Sequence, residues 1–289
     1  MQTDLQNNLP PSHVERGIEG LAPTLVGTHQ KPLKDMLLEF TGALMRGEEV
    51  NIHELCCGMG VASEQIQFLM NALCIAAGTR NRASVVGSDV NPLNEERLNH
   101  HLDLFHEIAL DDLREWEFPG VDVDALKRDS ALAGPQARFV RSSADQPIAH
   151  PGPLDLAFCV HGIWYVEDKL GMIYNTVDGL RQGSGLAVWD SFNLDSVRIA
   201  HTVGSAWQGN YKLKDFLRDH GGQRFDFHLQ PGDSRSQPIH TLCARRPNLE
   251  AAPRPKFVKA VPSNAPSPVD IGFWNYATFR RDSEYKFAE

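Results

Sequence analysis

Apolar positions along this chain switch between helical and strand spacing many times. Leu33, Met36, Leu37, Phe40, Leu44 and Met45 recur at three- and four-residue intervals, which predicts a helix stopped by Gly47. The next segment, EVNIHEL, reads as a strand. Ile66, Leu69, Met70 and Leu73 then fall on one helical face, ending at Gly78. A second strand, ASVVGSDV, ends near Asp89, and NPLNEERLNHHLDLFHEI is helical with Pro92 in its first turn. ARFVRSS and LDLAFCV are a third and a fourth strand. Leu170, Ile173, Val177 and Leu180 mark an amphipathic helix closed by Gly183. GLAVWDS is a fifth strand, KLKDFLRDHGG a helix, and RFDFHLQ and IHTLCAR a sixth and a seventh strand.

Strands alternating with helices predict a mainly parallel sheet covered on both faces. Two strands in succession at the end predict an antiparallel finish. Residues 111–137 are acidic and irregular, and read as an insertion. Residues 1–34 form an N-terminal arm or lid ahead of a domain spanning 35–245. A Pro-rich linker begins at 246 and leads into an aromatic tail ending at 289. That tail carries Phe273, Trp274, Tyr276, Phe279, Tyr285 and Phe287, too many rings to leave in water, so it is expected to dock.

Charge and composition narrow the function. A formal net charge of −9 argues against nucleic acid as the main partner, which would need clustered Lys and Arg. No apolar run is long enough to span a bilayer, and the first residues lack a basic start and an apolar core. A cytoplasmic protein with reduced thiols is the expectation. The five cysteines are scattered, without a CxxC pair, and adjacent Cys56 and Cys57 do not suit one zinc, so no metal is expected.

The chemistry concentrates in NIHELCCGMGVASEQ. Here a strand ends at Glu54 and Leu55, and Gly58 and Gly60 allow backbone to approach a ligand closely. The helix that follows aims its N-terminus at the same spot. A dinucleotide fingerprint needs a third glycine, and position 63 is serine, which disfavours a nicotinamide enzyme. Asp89, at the end of the second strand, is placed to accept bonds from ribose hydroxyls, while a cap for the next helix falls to Asp89 or to Asn91, ahead of Pro92.

NIHELCCGMG, VVGSDVNP, FVRSSADQ, LDLAFCVHGIWYVEDK and LRQGSGLAVWDS stand in the order and rough spacing of the class I S-adenosylmethionine-dependent methyltransferases, which residues 35–245 resemble. The resemblance implies a Rossmann-like α/β fold, its seven-stranded, mostly parallel sheet having an antiparallel last strand. It implies S-adenosyl-L-methionine as cofactor. Glu54, Gly58 and Gly60 would flank the methionine part, Asp89 would bind the ribose and Val90 would pack on the adenine. Ser143, Ala144 and Asp145 would border the adenine amino group, and Val160 would complete the cofactor-binding set. Many relatives carry an acid where Ser143 stands, so here either Asp145 or the serine hydroxyl serves.

The segment LDLAFCVHGIWYVEDK is most similar to histamine N-methyltransferase-like small-molecule methyltransferases. That likeness implies that His161, Trp164 and Tyr165 meet the acceptor. His161 is the candidate catalytic group because an imidazole titrates near neutrality. Trp164 and Tyr165 offer ring faces to a cationic or apolar substrate. Trp189 and Asp190 follow the fifth strand on the same rim and are further candidates for substrate contact. The expected activity is methylation of a small molecule, on nitrogen ahead of oxygen. The alternatives are methylation of a protein or peptide, or a partner-binding domain that has lost catalysis.

Overall fold

The computed structural model describes residues 33–58, 60–93, 95–115, 121–129, 132, 134–159, 162, 166, 169–192, 198–203, 206–212, 225–229 and 240–246. In chain order the elements are α1 (Leu33–Met45), β1 (Val50–Leu55), α2 (Val61–Ala76), β2 (Ala83–Asp89), α3 (Glu95–Glu115) and α4 (Val123–Leu126). Then come β3 (Arg138–Arg141), β4 (Leu156–Cys159), α5 (Lys169–Gly179), β5 (Leu186–Phe192), β6 (Arg198–Val203), β7 (Ala206–Lys212), β8 (Phe225–Leu229) and β9 (His240–Arg245). The N-terminal arm, the predicted KLKDFLRDHGG helix, the Pro-rich linker and the aromatic tail lie wholly or almost wholly outside the described residues.

Five strands make a parallel sheet in the order β3-β2-β1-β4-β5, with helices on both faces, a Rossmann-like α/β arrangement. Beyond β5 lie β9 and then β8, and β9 runs antiparallel to both of its neighbours. The chain steps outward from β1 through β2 to β3, then returns to the other side of β1 with β4. That reversal falls at β1 and β4, and open α/β sheets bind ligands at the carboxyl ends of the strands at such a point.

Side-chain alternation along the strands divides the interior into two cores. Ile52, Val85, Leu156, Phe158 and Val188 face α1, α2 and α3, against Leu37, Leu44, Ile66, Leu69, Leu73 and Leu110. Leu55, Ala157, Cys159, Ala187 and Trp189 face α5, against Met172, Ile173, Val177 and Leu180. At the opposite rim Arg181 forks onto Asp155, with Nε to Oδ1 at 2.6 Å and Nη2 to Oδ2 at 3.1 Å. Asp155 also accepts the Asn51 N–H, so one carboxylate ties β1 to the turn before β5.

Three features depart from the sequence pattern. α2 is buried from Val61 to Cys74, not on one face alone. Its polar side chains are bonded inward: the Gln67 amide oxygen accepts the Val85 N–H, Asn71 donates to the Pro135 carbonyl, and Glu64 accepts the Ala137 N–H. Such partners make burial of polar groups tolerable. α3 runs on to Glu115, because Ala109, Leu110 and Leu113 extend its apolar face into the first core. The expected irregular insertion therefore begins as helix, and it contains α4, capped by Asp122 accepting the Ala125 N–H. Finally, β6 and β7 form an antiparallel two-stranded sheet of their own, which the apolar pattern did not predict.

Candidate functional site

The site grows from the turn after β1. Cys56, Gly58 and Gly60 all have positive φ, at 57°, 55° and 76°. Gly60 is the N-cap of α2 and has no side chain to satisfy the orphan N–H groups of the first turn. Glu54 supplies the missing acceptor from the strand: its Oε2 takes the Ser63 N–H at 2.9 Å and the Ser63 hydroxyl at 2.5 Å. Glu54 is buried, and burial raises its pKa to about 7 against the lowering effect of the two Ser63 bonds, with Asp89 nearby adding to the rise.

Small residues let α2 lie close on the sheet. A Cβ at Gly87 would stand 2.7 Å from Ser63 Oγ and 2.8 Å from the Phe139 ring. A Cβ at Gly60 would stand 2.4 Å from that same ring. In the dinucleotide fingerprint the third glycine gives this close helix–strand packing. Here the third position is Ser63, and β2 makes room for it with Gly87. Gly58 is different, since a Cβ there would meet nothing within 4 Å among the described residues. Its freedom serves the turn's left-handed backbone.

Asp89 joins the turns. Its Oδ2 accepts the Gly58 N–H at 3.1 Å, and its Oδ1 accepts the Asn91 N–H at 2.9 Å and the Asn91 side-chain amide at 3.3 Å. These bonds to Asn91 close a turn ahead of α3, which begins at Glu95, and the Asp89 carboxylate is half-buried. A carboxylate has about four acceptor positions, so Asp89 retains capacity for a hydroxyl. The Cys57 N–H reaches the Ser88 carbonyl at 3.0 Å, the Ser142 N–H reaches the Asp89 carbonyl at 2.9 Å, and Arg141 Nε reaches the Val90 carbonyl at 3.0 Å. Loops after β1, β2 and β3 are thus bonded in series along one rim.

Val90 is 54% exposed on that rim, an unusual place for a large apolar side chain. Ser143 and Asp145 are half-buried and Ala144 is buried. The Gln146 amide donates to Asp145 Oδ1, and Asn175 of α5 donates to the Asp145 carbonyl. From the β4 side, buried Gly162 closes on the first turn: a Cβ there would stand 2.3 Å from Cys56 Cβ.

The structure brings Glu54, Gly58, Gly60, Asp89, Val90 and Ser143–Asp145 to one rim. Trp189 is placed elsewhere. Its ring is fully buried in the second core, with no partner for its indole N–H among the described residues, so packing takes the place expected for a substrate. Asp190 lies on β5 by its backbone. Val160, His161, Trp164 and Tyr165 lie outside the described residues. Among the described residues no three His, Cys, Asp or Glu side chains gather as a metal site, and no helix is long and apolar enough to cross a membrane.

Sequence reasoning missed a polar pair behind the site. His53 Nε2 meets Ser88 Oγ at 2.9 Å under the turn, and the His150 ring lies edge-on to His53 at 6.3 Å. Burial lowers the His53 pKa to about 3, with His150 and Arg138 adding to the shift. The alternation of EVNIHEL, which turns His53 to the same face as Leu55, was the available signal.

No family model and no curated protein matches the chain. Three solved structures that it resembles are methyltransferases. One is an S-adenosylmethionine-dependent methyltransferase from Clostridium acetobutylicum, 10% identical with a TM-score of 0.36, covering 74% of this chain and 90% of that one. Another is the Burkholderia thailandensis 1,6-didemethyltoxoflavin-N1-methyltransferase with bound S-adenosylhomocysteine, 12% identical with a TM-score of 0.37, covering 84% and 87%. The third is a plantazolicin methyltransferase, also with SAH, 10% identical with a TM-score of 0.40, covering 85% and 88%.

Proposed function

We propose that this chain is an S-adenosylmethionine-dependent methyltransferase acting on a small-molecule acceptor, at nitrogen in preference to oxygen. The observation that carries the reading is the 3.1 Å bond from the Gly58 N–H to the Asp89 carboxylate. It couples a left-handed glycine turn to an acid with acceptor capacity left, at the sheet's reversal point. In this reading an adenosyl group would lie along the rim. Asp89 would accept a ribose hydroxyl, exposed Val90 would lie under the adenine, and Ser143–Asp145 would border its amino group. Glu54, Gly58 and Gly60 would flank the methionine portion, with Val160 completing the set. In this reading the sheet is the seven-stranded methyltransferase sheet, closed by its reversed strand.

The donor, when bound, supplies an activated methyl group. The protein's part is to align the acceptor and strip it of water, and such positioning is worth several kcal/mol. A neutral amine needs only loss of its proton beforehand, whereas a hydroxyl needs a base. We assign acceptor contact to His161, Trp164, Tyr165 and Asp190, with His161 the group to take a proton where one must leave.

Calorimetry with S-adenosylmethionine tests the reading. Asp89→Ala removes a charge-assisted bond of about 1.5–3 kcal/mol and is expected to weaken binding by roughly 10- to 150-fold. A folded wild-type protein that binds no donor defeats the proposal. Transfer of a labelled methyl group to lysate proteins and to no metabolite would replace the small-molecule acceptor with a protein one.

A further inference from the structure

Cys56 and Cys159 have no part in the function proposed above, yet the fold brings them together. β1 and β4 are adjacent parallel strands, with Glu54 opposite Phe158. Continuing that register sets Cys159 beside Leu55, one residue before Cys56. Along ideal strands, about 4.8 Å apart with a rise of about 3.3 Å per residue, two Cα atoms so offset would be roughly 6 Å apart, and Cys56 turns out of its strand at this point with a φ of 57°. Disulfides span about 4.4–6.8 Å between Cα atoms. The side chains converge as well: Cys56 Cβ and Cys159 Sγ both lie within 3.0 Å of the point where a Gly162 Cβ would stand. Neither cysteine is in a disulfide.

Access differs between the two. Cys159 is wholly buried, whereas Cys56 is half-buried on the turn. Cys56 also holds a left-handed backbone, which is costly for a residue with a side chain and is typical of functional turns. We propose that Cys56 and Cys159 are an oxidisable pair, closed to a disulfide by a hydroperoxide, which ties the first turn to the end of β4 and weakens donor binding.

Both steps balance. The Cys56 sulfur attacks the peroxide, the O–O bond breaks, an alcohol or water leaves, and Cys56 becomes a sulfenic acid. The Cys159 sulfur then attacks that of Cys56, the S–O bond breaks, and hydroxide leaves with the Cys159 proton as water. The two thiols lose two hydrogens in all, and the peroxide is reduced. The linked turn is held at Cys56, two residues before the Gly58 N–H that holds Asp89. The thiol pairing rests on geometry alone, while its effect on the donor rests on the function proposed above.

Reduced wild-type protein treated with hydrogen peroxide, blocked with N-ethylmaleimide and digested with trypsin provides the test. The expected product joins peptide 47–80 to peptide 142–169 with the loss of two hydrogens, and fragmentation places the bond at Cys56. Cys56→Ser and Cys159→Ser each abolish it. The affinity for S-adenosylmethionine falls by about fivefold or more on oxidation and returns with dithiothreitol. A link through Cys57 or Cys74, or Cys56 carried to a sulfinic acid with no link, overturns the pairing. A link that leaves donor affinity unchanged overturns the regulation. A link in a protein whose reduced form binds no donor leaves the pairing standing and removes the function on which its regulation rests.

Discussion

Glu54→Gln probes the charge at the centre of the site. The amide keeps an acceptor for the Ser63 N–H and hydroxyl, so the capping of α2 survives, and it resembles the protonated acid in carrying a donor as well. What disappears is the titration. Burial raises the Glu54 pKa from 4.5 to about 7. The folded protein therefore holds this proton more tightly than the unfolded chain. The stability linked to it is complete below pH 4.5 and is lost as pH rises through 7. A shift of that size corresponds to about 3 kcal/mol, with a slope of at most about 1.4 kcal/mol per pH unit.

Urea unfolding at half-unit steps from pH 5 to 8 is the assay. The variant should gain on wild type as pH rises, by up to about 3 kcal/mol at pH 8. Both proteins carry His53, so its linkage cancels in the difference. A difference that stays flat, or that moves the other way, refutes the claim that burial raises the Glu54 pKa in the folded protein. The same proton reports on the donor. A sulfonium bound beside Glu54 would favour the carboxylate and expel the proton. Calorimetry near pH 6 in two buffers of different ionisation enthalpy should then show proton release for wild type and less for the variant.

His53 works with the opposite sign. Its pKa is lowered to about 3, so stability present above pH 6.5 is lost as pH falls toward 3, by roughly 5 kcal/mol at most, and His53→Gln should show a shallower acid limb in urea unfolding. Gly60→Ala drives a methyl into the Phe139 ring and strains a φ of 76°, for a loss of roughly 2–4 kcal/mol. In a Phe139→Ala background the same change should cost only about 1–2 kcal/mol, the left-handed backbone part. Equal costs in both backgrounds, measured by chemical denaturation, would remove the steric explanation.

Much of the sheet was legible because its strands are short apolar runs bounded by glycine, proline and acids. VNIHEL and ASVVGSD lie almost where their patterns put them. The pattern was less informative where side-chain partners override periodicity. Gln67 and Asn71 look solvent-facing, yet their amides are bonded to the β2 backbone and to the Pro135 carbonyl, and the helix is buried all round. The end of α3 was hidden by the acids Asp111, Asp112 and Glu115, which suggested loop while Leu110 and Leu113 continued the buried face. Trp189 resembled a rim residue only because the strand's polar neighbours, Asp190 and Ser191, follow it; its own alternation assigns it to the core with Ala187.

The site itself shows why a motif is best read as a set of spatial demands. A glycine at the third fingerprint position answers a need for closeness between helix and strand. This chain meets the need from the other side, with Gly87 on β2 opposite Ser63 on α2. The serine is then free to bond Glu54, which does the capping that Gly60 cannot. Ser63, Gly87 and Glu54 thus form one unit spread over β1, α2 and β2, although no two of them are adjacent in sequence. The coupling predicts a particular non-additivity. Gly87→Ala drives a methyl against Ser63 Oγ and the Phe139 ring, and Ser63→Gly relieves the first contact while leaving Glu54 with one bond fewer. The double variant should therefore be more stable than the sum of the two single losses, by about 0.5–3 kcal/mol in chemical denaturation. Strict additivity would mean that Gly87 does not make the room that Ser63 occupies.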